Sequence, residues 1–401
     1  MTASPPTEAA PDRAARSALA AAIAWIDAHV PALAAEEITL AEAAGRVLAQ
    51  ELRAAAALPP NARAAIDGIA LRAEDTAGAG AYSPVSVRPA PAGAGAPPPF
   101  SAALVSAGDP LPVWADAVVP IDQVQRDARG DWEIIEGIAA ASGVAAAGSH
   151  VQSGATLSPA GREIGPPDIG LLAAAGITRL QAIRRPRVHC FHMRPANASG
   201  GFVDADVLLL QGLIRRDGGI LTRETIARSR AAIADALRRN AADLVVTVGG
   251  TGRGNADEAA AALREAGQLA MHGLALSPGE SAGLGLTAAG VPVVLLPGAP
   301  AACFWAYELL AGRAVRRRGG RSPAWPYIAR EMVLARKLVS AIGVTEICGV
   351  RRVSDHSVEP VASFAEAGLG ALTRAEGFVV LPEGSEGGAA GSRVTVYFFR
   401  P

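Results

Sequence analysis

A run of β-branched and aliphatic residues, Leu244–Val248, stops at Gly249, Gly250, Thr251 and Gly252, and an Ala-rich, helix-compatible segment comes next. Lacking polar alternation, the run reads as a strand buried on both faces. A second run, Val291–Leu296, stops in the same manner at Pro297 and Gly298, ahead of Pro300. Strands that end in glycine and lead into helices restrict the chain to α/β architectures with a mainly parallel sheet, because parallel neighbours need crossover connections. They also restrict where a ligand binds. Open α/β sheets hold ligands outside the carboxyl ends of their strands. A glycine turn there lets backbone N–H groups converge on an anion beside the positive end of a helix. Gly249, Gly250, Thr251 and Gly252 are therefore a candidate cradle for a phosphorylated small molecule, with Pro297, Gly298 and Pro300 as its facing wall. A tight turn that needs positive φ is the plainer reading of either glycine cluster. Asp257 lies just after the first, placed either to cap the next helix or to hold Mg²⁺ against phosphate oxygens.

The surrounding pattern alternates strands and helices. Strands are predicted over Arg187–Phe191, Gln268–Leu276 and Val291–Leu296, and helices over Asp204–Arg215, Thr222–Arg239, Asp257–Ala266 and Ala301–Arg313. Upstream, Leu19, Ile23, Ile26 and Val30 recur at helical spacing before Pro31. A second helix is predicted over Leu40–Ala54, opened by Thr39 with Glu42 three residues on. From 58 to 150 short apolar runs alternate with Pro, Gly and Asp, which reads as a β-rich insertion. The segment PPDIGLLAAAGI reads as a Pro-started helix ending at Gly176. Arg313–Pro326 reads as a basic linker before an all-β tail. The expected divisions are a disordered lead-in over 1–15, a split helical part over 16–57 and 151–184, the insertion over 58–150, an α/β domain over 185–320 and a β domain over 321–401.

At 401 residues the chain is long enough for several cores. Lys plus Arg (37) and Asp plus Glu (38) nearly cancel, so no global field favours nucleic acid or an anionic membrane. Lys337 is the one lysine among those basic residues, a bias that weakens any inference from a missing lysine elsewhere. Cys190, Cys303 and Cys348 form no disulfide-like framework, and a reducing, cytoplasmic setting is expected. The opening MTASPPTEAAPDRAAR resembles neither a signal nor a transit peptide, and no apolar run approaches the ~20 residues of a membrane helix.

Several chemistries lack their residues. GGTGRGN fits G-x-G-x-x-G in no register, and no Walker A, H-E-x-x-H, C-x-x-C pair, G-x-S-x-G or S-x-x-K is present. His189, Cys190 and His192 look like metal ligands, yet the two histidines have opposite strand parity and face opposite sides. Asp67, before Gly68, is by itself a turn acid.

Taken in order, these segments resemble the molybdopterin molybdenumtransferases, the family of bacterial MoeA and the gephyrin E domain. LPPNARAAIDGIALR is similar to P-x-x-x-x-S-x-M-D-G-Y-A, SAGDPLPVWADAVVPID to M-T-G-A-P-L-P-x-G-A-D-A-V-V, VGGTGRGNADE to S-G-G-x-S-x-G-x-x-D, LLPGAPAACF to G-L-P-G-N-P-V-S, and ALTRAEGFVVLPEG to S-L-x-x-A-N-G-x-x-x-L-P. The resemblance runs from about Leu19 to the C-terminus. It implies a multidomain α/β plus β fold: a molybdopterin-binding α/β domain with a parallel sheet, a split helical domain, a β-rich insertion and a C-terminal β-barrel-like domain. It further implies a homodimer that takes molybdopterin or adenylylated molybdopterin, with molybdate and Mg²⁺, towards active cofactor, serving client molybdoenzymes. By the same resemblance the two glycine turns hold the pterin phosphate and nucleotide, Asp257 carries Mg²⁺, and Asp67 is a catalytic residue reaching in from the other subunit.

The departures fall on the chemistry. The family's K-P-G-K-P is Ser277, Pro278, Gly279, Glu280 and Ser281 here, which removes two cations and adds an acid. S-T-G-D-E is His192, Met193, Arg194, Pro195 and Ala196. The Thr of M-T-G-A-P aligns with Ala107, and the G-E-D acids with Ser149 and His150. Arg194 and Arg253 are the candidate substitute cations. Each lost preorganised group typically costs about 10²–10³ in rate, so three expectations stand side by side: a transferase inserting molybdenum, a catalytically degenerate carrier of the pterin or finished cofactor, and a scaffold.

Overall fold

Leu244–Val248 is a strand with every residue buried, and its two faces feed two different cores. In the computed structural model, which describes residues 16–91, 95–194, 205–361 and 364–400, it is central to a six-stranded sheet. The predicted lead-in over 1–15 lies outside the described residues, as do Pro195 and Ala196. Two units are distinguished: Met1–Glu36, Gly45–Val47 and Ala182–Pro401 make one, and Glu37–Ala44 with Leu48–Gln181 the other.

In the first unit, α1 (Leu19–His29) precedes an alternating series: β1 (Arg187–Arg194), α2 (Ala205–Arg216), β2 (Ile220–Ala227), α3 (Arg230–Arg238), β3 (Leu244–Val248), α4 (Ala259–Ala266), β4 (Gly267–His272), β5 (Gly283–Thr287) and β6 (Pro292–Leu296). The sheet order is β2-β1-β3-β6-β5-β4. The first four strands pair in parallel, and β5 and β4 are added by antiparallel pairings. Side chains alternate across it. Val246, Val248, Val294 and Leu296 pack with α1, α2 and the helix after β6, whereas Val245, Val293 and Leu295 pack with α3 and α4. Each such buried side chain contributes about 1.5–3 kcal/mol. Chain order reverses beside β1, with β2 on one side and β3 on the other, which opens a crevice at the strand carboxyl ends.

After β6 the chain runs on as α5 (Pro300–Ala306), a π-helical turn (Tyr307–Ala311) and α6 (Gly312–Arg318). The predicted basic linker is thus helical at its start. Arg316, 4% exposed, meets Asp217 at 3.0 Å, while Arg216 bridges Asp217 (3.0 Å) and Glu308 (2.7 Å). Tyr307 and Tyr327 donate their hydroxyls to Asp217 and Glu308. Burial would lower the Arg216 pKa, but its bonds to Glu308 and Asp217 prevail and raise it.

The last part is a β-barrel formed by β7 (Ile328–Leu334), β8 (Thr345–Ser354), β9 (Ser357–Pro360), β10 (Gly377–Leu381) and β11 (Arg393–Phe398). Strand β8 pairs with β9 over one stretch and with β10 over another, which closes the ring β8-β9-β7-β11-β10. The tail is not all β, for a helical segment, Phe364–Arg374, broken at Gly368, precedes β10.

Two further predicted helices fail. Thr39 and Glu42 do form the capping box, but it opens only a 3₁₀ turn over Leu40–Glu42, and Gly45 at φ 68° turns the chain away. The stretch expected as one helix over Thr222–Arg239 is strand β2 followed by α3, with Ser229 as N-cap.

In the second unit, a six-stranded sheet contains Gly68–Leu71 and Ser101–Val105, covering Ile69, Leu71, Trp132 and Ile134. The Pro-started helix is Pro166–Ala174, where Asp168 accepts from the Gly165 N–H at 2.9 Å. No helix among the described residues is long and apolar enough to cross a membrane.

Candidate functional site

Parallel register brings four strand ends together. His192 stands beside Thr225 and Val248, and Val248 beside Leu296, so the loops that leave these strands emerge on one edge of the sheet. A cleft of about 430 Å³ lies there, lined among others by Gly249, Gly250, Thr251, Gly252, Pro297 and Gly298.

The first turn is built by glycine. Gly249 and Gly250 have φ of 87° and 64°, a region that costs other residues about 1–2 kcal/mol. A Cβ at Gly250 would stand 2.8 Å from Met193 Sδ, and one at Gly298 would stand 3.2 Å from the Gly249 Cα, so the two turns touch. Gly249 donates to Leu296 O at 3.0 Å, and Ala259 donates to Gly250 O at 3.0 Å. Among the described residues, the N–H groups of Gly250, Thr251 and Gly252 have no intramolecular acceptor. Thr251, 2% exposed, is fixed by Ser281 Oγ at 3.0 Å, and His272 Nε2 lies 2.8 Å from its carbonyl.

Asp257 accepts from the Gly254 N–H at 3.0 Å through Oδ2 and pairs with Arg228 through Oδ1. Its carboxylate thus clasps the loop between turn and helix. Asp206, Asp257 and Glu280 face the cleft, and Arg228 is the one arginine among the described residues that does. Glu280, where the resemblance has a lysine, accepts from the Gly279 N–H at 3.1 Å. Neither Arg194 nor Arg253 lines the cleft.

Of the predicted residues, Gly249, Gly250, Thr251, Gly252, Asp257, Pro297 and Gly298 share this cleft. Pro300 instead starts α5 and does not line it. Asp67, in the second unit, is exposed, and its carboxylate accepts from the Ala107 N–H at 2.7 Å, so two segments of the resemblance meet there as a braced turn. His150, in the same unit, donates its N–H to Leu58 O at 2.9 Å. Sequence reasoning misses Arg228, because the segment that carries it has the pattern of a mid-helix stretch and is in fact a strand end. His189 and His192 separate as parity requires: His189 lies against Phe191 with tilted rings, centroids 4.2 Å apart, and His192 lines the cleft. Burial pushes the Cys190 thiol up to about 12, which leaves it inert as a ligand or nucleophile. Among the described residues no three His, Cys, Asp or Glu gather as a metal-binding group.

Three family models match the chain in succession: the MoeA N-terminal region (domain I and II) over 17–176, a probable molybdopterin binding domain over 196–317, and the MoeA C-terminal region (domain IV) over 331–399. Molybdopterin molybdenumtransferase 2 of Mycobacterium tuberculosis is 30% identical over 387 residues, covering 90% of this chain and 94% of its own. A putative molybdopterin biosynthesis protein of Methanocaldococcus jannaschii is 26% identical over 387 residues, covering 91% and 92%. The solved MoeA protein of Pyrococcus horikoshii, at 26% identity, has a TM-score of 0.77, covering 96% of this chain and 100% of that one. With these domains in this order along nearly its whole length, the chain belongs to the MoeA family of molybdenum-cofactor biosynthesis proteins, the molybdopterin molybdenumtransferases.

Proposed function

We propose that this protein binds molybdopterin, bare or adenylylated, by its phosphate at the turn from Gly249 to Gly252, and that it holds and hands on the pterin or the finished cofactor rather than inserting the metal. The observation that carries the binding reading is the row of backbone N–H groups from Gly250 to Gly252, without acceptors of their own, at the ends of parallel strands. A cleft of about 430 Å³ is of ordinary size for a small-molecule site. The probable molybdopterin binding domain matches across it.

Lining charge supports the second half of the proposal. Arg228 is the one arginine among the described residues lining the cleft, and it is already paired with Asp257, so a transition state gathering negative charge on phosphoryl and molybdate oxygens finds few preorganised cations. Mg²⁺ does not fit the donor set as it stands, because both oxygens of Asp257 are engaged, by Gly254 and by Arg228. Insertion of molybdate by the family's route is the rival reading, favoured by the relatives' designation as transferases.

The test is complementation. The chain is expressed in a strain lacking its own molybdenumtransferase, and molybdoenzyme activity and co-purified pterin are measured. No rescue together with bound pterin is the expected result. Rescue would overturn the hand-off reading, and absence of both would overturn binding itself.

A further inference from the structure

Beside the glycine turn stands a guanidinium that no motif announces. Arg228 comes directly after β2, donates to Asp257 Oδ1, and packs its Nε 3.7 Å from where a Gly250 Cβ would stand. Its side chain is 30% exposed, so it reaches the cleft it helps to line. The Nε hydrogen is buried and has no acceptor among the described residues. Other orphaned arginine nitrogens exist, such as Arg316 Nε, but that side chain is 4% exposed and lines no ligand cleft. At Arg228 the orphaned donor lies beside Gly250, whose N–H, like those of Thr251 and Gly252, has no acceptor among the described residues. The unpartnered Nε therefore stands beside the glycine turn.

Charge gives the second argument. A phosphate ester entering this cleft adds negative charge to Asp206, Asp257 and Glu280. Something positive has to meet it, and a divalent cation is the usual answer where carboxylates and phosphate share a site. Here the carboxylate that would hold such a cation is already paired with Arg228. A guanidinium can satisfy a carboxylate with one edge and a phosphate with another, since it carries five donors in a planar fork.

We propose that Arg228, not a divalent cation, is the positive charge that meets the ligand's phosphate at this turn, so that binding is independent of Mg²⁺. The inference rests on the reading that a pterin phosphate binds at Gly249–Gly252. It makes Arg228 a binding residue, and Asp257 the residue that orients it.

The test uses the full chain and molybdopterin released anaerobically from a molybdoenzyme. Binding is followed by equilibrium dialysis, with bound pterin quantified by fluorescence after oxidation, in EDTA and in millimolar Mg²⁺. Wild type binds equally in both. Arg228→Ala binds about ten- to a hundredfold more weakly in EDTA, the usual worth of a charge-assisted contact. Mg²⁺ restores part of that loss, because Asp257 is then unpaired. Asp257→Asn keeps an acceptor for the Gly254 N–H while removing the charge that orients Arg228, and it loses less binding than Arg228→Ala. Thermal unfolding of each variant shows whether it is folded, and Arg228→Lys, which keeps charge but not the fork, falls between wild type and Arg228→Ala. Loss of wild-type binding in EDTA would overturn the proposal in favour of a metal. Equal losses in Arg228→Ala and Asp257→Asn would overturn it in favour of a mere brace. No binding by wild type under either condition would refute the underlying site, and this inference with it.

Discussion

Two polar regions of the α/β unit handle buried charge in opposite ways. Around Asp217 and Glu308, arginines and tyrosine hydroxyls converge until both carboxylates have several donors, and the set is enclosed between helices. At the glycine turn, carboxylates outnumber the arginine and backbone donors are left over. In the first arrangement both carboxylates are satisfied within the protein, and its removal is felt as lost stability. On the proposed reading, a ligand's phosphate completes the second. On the proposed reading it is unpaired donors beside a cleft that mark the site, since Arg316 Nε is unpaired away from it.

The contrast can be broken first at its stable pole. Glu308→Ala leaves Arg216 without one of its two carboxylates in a buried setting, and should lower unfolding free energy by about 3–5 kcal/mol in chemical denaturation. An unchanged midpoint would refute the structural role.

A pH series sharpens the same pole at a neighbouring pair. Burial works to raise the Asp243 carboxyl, but hydrogen bonds from Arg184 and Arg187 outweigh it and hold the group at about 2, below its ordinary 3.8. With the folded value lowered, the contribution is full above the unfolded pKa and is lost as pH falls through the folded one. It is worth about 2 kcal/mol and should disappear between roughly pH 4 and pH 2. Asp243→Asn should flatten that part of the stability profile; a profile as steep as wild type's would count against the assignment.

Smaller effects are expected at the cleft. Gly250→Ala places a methyl group against Met193 at positive φ and should cost about 1–2 kcal/mol of stability while abolishing pterin retention. Retained binding would free the cradle of its assigned role. Glu280→Lys exchanges an acid for a cation facing the cleft, and should tighten pterin binding about tenfold, more at low salt than at high. A weaker complex would mean that Glu280 contacts the ligand favourably.

Legibility in the sequence obeys the same physics. Strand β3 and its turn are legible because every side chain is apolar and the stop is glycine. Strand β2 is not, because it is the sheet's edge and only Ile226 is buried, so RETIARSRAAIADALRR keeps an unbroken helical pattern through Arg228. Losing that strand end also loses the cleft's arginine. The Arg316 helix hides for a related reason: composition cannot tell an arginine that meets a buried aspartate from one that waits in solvent.

Closure of the C-terminal ring through the second pairing of β8 has a bearing on how other proteins are met. A sheet with a free border can lengthen by accepting a strand from another molecule, guided by main-chain groups that every sequence possesses. The ring β8-β9-β7-β11-β10 turns much of that border inward, and the start of β8 is paired by Leu276–Ser277. Main-chain pairing is thus a narrower route onto this wall than side-chain contact.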